Sequence, residues 1–368
     1  MLIQQKIKAH AIMLVAVVCT LLALGLIFVY SSSSFYALEK YGTPFYYVKK
    51  QLFGIFLGAC GLICARLLPL EFFKQTSFYL YVGTLVLTTM PMLPFLAHRM
   101  HGSSRWINIA GFTFQPSELL KVAIVLYLAS FLSRKKEHRG SFVKGYLPLI
   151  IMLAITSLIL LKQPDFGCTA VLCMTAGIML FIAEMNITYL ALISAVVIPA
   201  AGALAYLQPY RWKRITVYLD PWNDPQGAGF QIIQSLIAVG SGGFWGTGIA
   251  QSKQKYFYLP MQHTDFIFAI IAEETGFIGS CFLILLFFLF LWFGFRIAHY
   301  LQDAFAVYLV QGATIIITLQ TIINLTVTTG LAPTKGISLP FISYGNSALI
   351  AQLILVGLII NAAYDYYE

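Results

Sequence analysis

Residues 267–295 read IFAIIAEETGFIGSCFLILLFFLFLWFGF, nearly thirty positions in which the only charged side chains are Glu273 and Glu274. About 20 apolar residues suffice to cross the ~30 Å of hydrocarbon in a bilayer, so this stretch is long enough to span a membrane. Working outward from it, similar runs can be cut at 10–30, 48–68, 77–97, 119–133, 146–161, 168–183, 187–207, 305–325 and 346–363, which makes ten. The composition of the 368 residues agrees: 59% are hydrophobic, 10% are charged, and the mean hydropathy is +0.81. A soluble domain carries about 25% charged residues, so an ordinary soluble protein is excluded, and a disordered chain or a nucleic-acid binder with it. The expected fold is an all-α integral membrane protein, one polytopic domain over 1–368. It has ten transmembrane helices and a large extracytoplasmic loop, about 208–266, between the seventh and eighth. The first run is too long, and lacks a small-residue cleavage site, to be a removable signal peptide. Cys19, Cys60, Cys64, Cys168, Cys173 and Cys281 all sit in or beside apolar runs and read as small hydrophobes.

Orientation comes from SRKKEHRGSFVKG, in which Arg134, Lys135, Lys136, Arg139 and Lys144 crowd a short connection. Basic residues in short loops mark the cytoplasmic side. Alternation from there puts both termini in the cytoplasm. Twelve basic residues then fall on the outer side, among them Lys40, Arg105, Arg214 and Lys335. Some serve as snorkelling anchors, and the remainder suit an anionic substrate approached from outside.

Charges in or beside hydrocarbon cost about 2.5–3.5 kcal/mol or more each, which makes them candidates for function. In GSSRWINIAGFTFQPSELLK (102–121), Pro116 and Glu118 suit the first turn of a helix, and Lys121 follows Glu118 at pairing distance. In QPDFG (163–167), Asp165 can cap the following helix. The glycines at 240, 242, 243, 246 and 248 form no dinucleotide or Walker fingerprint; they read as a flexible turn or, less directly, as backbone closing on a phosphate. Asp265 heads an apolar helix on which Ala269, Ala272, Gly276 and Gly279 share its direction to within about 40°. That stripe either packs tightly or walls a cavity, and an acid at its mouth favours the cavity. Thr264 is the expected cap. Glu273 and Glu274 imply polar pairing inside the bundle, and His263 reads as an interfacial hydrogen-bonding residue rather than a catalyst.

GSSRWI, QPSELLK, QPDFG, LDPWNDPQGAGFQ, IAVGSGGFWGTG, LP..HTDFIFAIIAEETG and LPFISYGNS, in this order across the whole chain, resemble the SEDS proteins (shape, elongation, division and sporulation). LDPW and QSKQK are more similar to the division branch of that family than to its elongation branch. The resemblance implies a glycosyltransferase in the bacterial plasma membrane that polymerises lipid II into peptidoglycan on the outer face. By motif position it gives Asp265 as the essential carboxylate and Arg105, Glu118 and Lys121 as polar residues of a central cavity. His263 joins them as a substrate-binding candidate. The implied partners are lipid II, a class B penicillin-binding protein transpeptidase and other divisome proteins. Two positions depart from the family: Met261 stands where Glu is frequent, and Asn346 where a second Gly is.

The chemistry agrees independently. An acceptor hydroxyl must be deprotonated as it attacks an anomeric carbon whose leaving group is a lipid pyrophosphate, so one base and several cations are needed. A divalent cation such as Mg or Mn would suit the pyrophosphate, although no cluster has ligand spacing. A transporter flipping the lipid-linked precursor, or a scaffold for a transpeptidase, are the alternatives. Polar candidates gathered toward the outer side favour the enzyme.

Overall fold

The computed structural model describes residues 2–93, 97–100, 103–109, 112–134, 141–256 and 259–364. Lys135, Lys136 and Arg139 of the basic connection lie outside the described residues. Among the described residues, helices overlap the expected runs: α1 (Leu2–Tyr41), α2 (Tyr46–Leu67), α3 (Leu70–Thr89), α4 (Pro116–Arg134), α5 (Leu147–Lys162), α6 (Phe166–Ile182), α7 (Ile187–Tyr206), α10 (Ile267–Tyr300), α11 (Ala304–Thr328) and α12 (Asn346–Tyr364). Two more, α8 (Pro209–Leu219) and α9 (Phe230–Ser241), form within the 208–266 region. Eight of these helices are long and apolar enough to cross a membrane, α5 together with the helical turn Phe142–Tyr146 that leads into it, 21 residues in all. The remaining two expected spans are α3, which carries Glu71, Lys74 and Gln75, and α6, which has 17 residues. The chain is a multi-pass membrane protein, mostly helical.

It is not wholly α. The expected third span was to reach residue 97, but the helix stops at Thr89 and a single 3-10 turn, Met90–Met92, closes it. Strands β1 (Ala97–Met100), β2 (Ser103–Ile109) and β3 (Phe112–Phe114) then form an antiparallel sheet with Ala97 opposite Ile107 and Ile107 opposite Phe114. Gly102 and Gly111 punctuate this segment, the sequence sign of two successive hairpins.

Small residues decide the helix packing. Gly54, Gly58 and Gly61 of α2 face Asn346, Leu353 and Ile354 of α12, and Gly357 of α12 lies against the Leu62 carbonyl of α2. In lipid, where apolar burial gives little drive, such close backbone approach supplies the dispersion contacts that hold helices together. Helices α4, α11 and α12 form the buried centre. At the other extreme, no described residue of α7 is buried. At roughly 1.5 Å per residue the 40-residue α1 is about 60 Å long, twice the hydrocarbon thickness. All six cysteines are unpaired.

Helix α10 is broken rather than straight: Gly276 has φ 65° and ψ −160°. The expected stripe therefore does not run on past it. Its middle members meet the glycine loop, for a Cβ at Gly242 would strike the Ala272 carbonyl, and one at Gly276 the backbone of Gly246 and Phe244. Two loop amides bond α10 carbonyls, Thr247 N–H to Glu273 at 2.9 Å and Gly248 N–H to Glu274 at 3.0 Å, and those of Gly243 and Gly246 bond Gly240 and Gly242 within the loop. The stripe is a packing face, and the glycine loop is neither a free turn nor a phosphate cradle.

Candidate active site

Asp265 stands two residues before α10, in a turn anchored from the far side of the fold. Three successive carbonyls accept bonds there: His263 from Tyr344 N–H at 2.9 Å, Thr264 from the Ser343 hydroxyl at 2.6 Å, and Asp265 from Asn324 Nδ2 at 2.8 Å. The same Asn324 amide donates to the Ile337 carbonyl at 2.8 Å. Thr264 does not cap the helix: its hydroxyl donates to the Met261 carbonyl at 3.2 Å, and no side chain caps α10. Helix formation starts only at Ile267, too far along for Thr264 to reach the first free amides.

The segment from 334 to 337 gathers the surrounding groups. A Cβ on Gly336 would lie 3.2 Å from Asp265 Oδ2, so glycine here lets backbone approach the carboxylate. Arg214 of α8 donates to the Thr334 carbonyl at 3.0 Å, and Lys335 lies 5.1 Å from the Phe166 ring centroid at the start of α6. Burial pushes the Asp265 carboxyl up to about 6, while Arg214 and then Arg105 pull it back. Burial, and after it the charge of Arg214, lowers the Lys335 ammonium. A carboxylate with raised affinity for protons among guanidinium and ammonium groups is the arrangement expected of a base serving an anionic substrate.

Arg105 crosses from β2 to the 163–165 turn. Its Nε donates to the Gln163 carbonyl at 2.8 Å, Nη2 bonds the Pro164 carbonyl, and Nη1 lies 3.8 Å from Asp165. Asp165 caps α6 as its sequence suggested, accepting from Cys168 N–H at 3.1 Å, and also accepts from Gln115 at 3.4 Å. Glu118 and Lys121 pair at 2.8 Å, both buried in α4. His263 keeps other company: its ring lies among Tyr47, Tyr36 and Tyr344, with centroids 4.5, 5.9 and 5.9 Å away. Burial, with Lys40 adding to it, lowers its imidazole to about 4, so it is neutral.

Sequence reasoning did not single out Lys335, Arg214 or Gln115 for this site, or Asp165 as an ion-pair partner. The first two were visible only as members of the outer basic set. Among the described residues, no group of three or more His, Cys, Asp or Glu side chains could hold a metal ion.

The glutamates behind the site are held by the 247–255 loop and by α1, all through Oε1 in the case of Glu274, whose Oε2 is buried without a hydrogen-bond partner. Glu273 accepts from Lys253 N–H at 2.8 Å and from the Ser252 hydroxyl, while Glu274 accepts from Ser31 of α1 at 2.6 Å and lies 3.6 Å from Lys255. Both are buried, as polar pairing inside the bundle requires.

Residues 11–368 match the family model FTSW_RODA_SPOVE, described as cell cycle protein. The probable peptidoglycan glycosyltransferase FtsW of Geobacter sp. (strain M18) is 38% identical, the alignment covering 98% of each chain. Stage V sporulation protein E of Bacillus subtilis (strain 168) is 40% identical over 96% of each. Among solved structures, a chain described under structural coordination of polymerization and crosslinking by a peptidoglycan synthase complex superposes with a TM-score of 0.78 at 27% identity, over 96% of this chain and 98% of that one. The rod shape determining protein RodA of Thermus thermophilus shares the fold at 24% identity, with a TM-score of 0.72 over 96% and 97% of the two chains.

Proposed function

The chain belongs to the FtsW/RodA/SpoVE family of cell cycle proteins, and from that membership we propose that it is a peptidoglycan glycosyltransferase of the division type. It polymerises lipid II on the outer face of the bacterial plasma membrane, with Asp265 as general base. The observation that carries this reading is the Asp265 carboxyl itself, buried enough to hold its proton up to about 6 and faced by Arg214 and Arg105. The carboxylate takes the proton of the acceptor sugar hydroxyl as that oxygen attacks the anomeric carbon of the second lipid-linked saccharide. Arg105, Arg214 and Lys335 draw the charge that develops on the departing pyrophosphate. A pyrophosphate leaves without a protonating acid, so the paired carboxylates of a glycosidase are not required. Glu118 and Lys121 neutralise one another and stiffen the wall beside Asp165. His263, neutral and ringed by tyrosines, positions the acceptor side through its backbone.

Purified protein given labelled lipid II, with and without a class B penicillin-binding protein transpeptidase, should form glycan chains; absence of chains in both cases overturns the proposal. Arg105→Ala should lower the rate about a hundredfold in a folded protein, by removing one stabilising donor. Wild-type rates in that variant would remove Arg105 from the mechanism. Lys121→Ala should instead lose folded protein, because stranding buried Glu118 costs about 3–5 kcal/mol.

The chain acts as one domain with both termini cytoplasmic and the 208–266 region outside, where it meets the transpeptidase and other divisome proteins. Its likeness to a chain of a peptidoglycan synthase complex supports that partner. A cysteine placed by Lys136→Cys should react with an impermeant thiol reagent only in opened cells, and one placed by Trp222→Cys in intact ones. Labelling of the former in intact cells overturns the orientation.

A further inference from the structure

Far from Asp265, at the opposite ends of α1 and α12, a groove of about 140 Å³ runs between Ala11, Ile12 and Val15 of α1 and Ile360 and Tyr364 of α12. It opens sideways, since Ile12 is 62% and Val15 36% exposed. A cavity of roughly this volume holds a six-carbon apolar ligand. Its two ends differ. Lys8 lies one turn before Ile12 on the same face of α1, with Nζ 5.9 Å from the Tyr364 ring centroid, and Arg66, in the last turn of α2, brings Cζ to 4.9 Å from the same ring.

Arg66 is set in place. Asn361 of α12 is buried and donates from Nδ2 to the carbonyls of Ala65 at 2.7 Å and Leu68 at 2.6 Å, holding the end of α2 against α12. Among the described residues, neither Lys8 nor Arg66 forms an ion pair with a carboxylate. Three helices thus converge on one ring, with two cations that have no carboxylate partner among the described residues at the headgroup end of an apolar groove.

We propose that this groove holds an acyl chain of one anionic phospholipid, whose phosphate is bound by Lys8 and Arg66. The polarity is that of the lipid: hydrocarbon alongside Val15 and Ile360, charge at Lys8 and Arg66. A zwitterionic lipid fits the groove equally but brings a cation of its own to the same two cations.

The test uses the full chain in nanodiscs of equal phosphatidylglycerol and phosphatidylcholine, released into detergent, with retained phospholipid counted by native mass spectrometry. Wild type should keep one phosphatidylglycerol. Lys8→Gln with Arg66→Gln should lower that retention about thirtyfold, the factor two headgroup cations are worth. Lys8→Arg with Arg66→Lys should keep it, as should the equal charge loss Lys49→Gln with Lys50→Gln elsewhere. Val15→Phe, which fills the groove and removes no charge, should also lose the lipid. Retention unchanged in the Gln pair or in Val15→Phe overturns the proposal, as does equal retention of phosphatidylcholine. Asp365 and Glu368 follow Tyr364 in sequence and carry the opposite charge; lipid binding that appears only after Asp365→Asn with Glu368→Gln also overturns it.

Discussion

Asp265→Asn is expected to leave a folded, inserted protein that polymerises lipid II about a thousandfold more slowly than wild type, within the range that general-base catalysis contributes. The amide keeps the shape and loses the basicity, and the three carbonyl bonds that fix the 263–265 turn involve no carboxylate oxygen. The pH dependence has a definite sign. The base works ionised, and its carboxyl is pushed up to about 6 by burial, so the wild-type rate should be full well above that value and fall as pH drops through it. The measurement is chain formation against pH for both proteins at matched melting temperature. Near-normal rates from the Asn variant, or a rate indifferent to pH between 5 and 8, would end the assignment.

Gly276→Ala should do comparable harm by another route, removing folded protein rather than slowing it. The φ of 65° with ψ of −160° belongs to a region that only glycine occupies comfortably, and an added Cβ would strike the backbone of Gly246 and Phe244. Strain and collision together cost at least about 3 kcal/mol. The control is Gly177→Ala in α6, where a Cβ meets nothing within 4 Å. Yield and melting temperature in detergent should fall for the first and hold for the second. Equal behaviour of the two would mean that α10 tolerates a straight path.

Helices were legible wherever an apolar run had to span the bilayer, because length and hydropathy are properties of the run alone. Glu273 and Glu274 were legible for the same reason: charges in such a run need partners. The sheet at 97–114 was not, since a short alternating segment next to a span is easily absorbed into it. Nor was the break in α10, because Gly276 reads as one more small residue until the glycine loop is laid against it. The ion pair of Arg105 with Asp165 joins positions sixty residues apart, and the 334–337 hub draws on α6, α8 and α11. Asp265 was readable as a carboxylate at a helix mouth; its neighbours belong to tertiary structure.

The pairing of Glu273 and Glu274 bears on how the chain is made. Each would cost roughly 2.5–3.5 kcal/mol as a bare charge in a helix leaving the translocon, enough to hinder entry into lipid. Their partners, Ser31 of α1 and the backbone and side chains of residues 252–255, all precede α10 in the chain. By the time the ribosome delivers α10, these polar partners of the two acids have already been synthesised. The polar bonds of the nascent helix therefore need nothing from α11 or α12, and the order in which the messenger is read suits the order in which those charges must be paired.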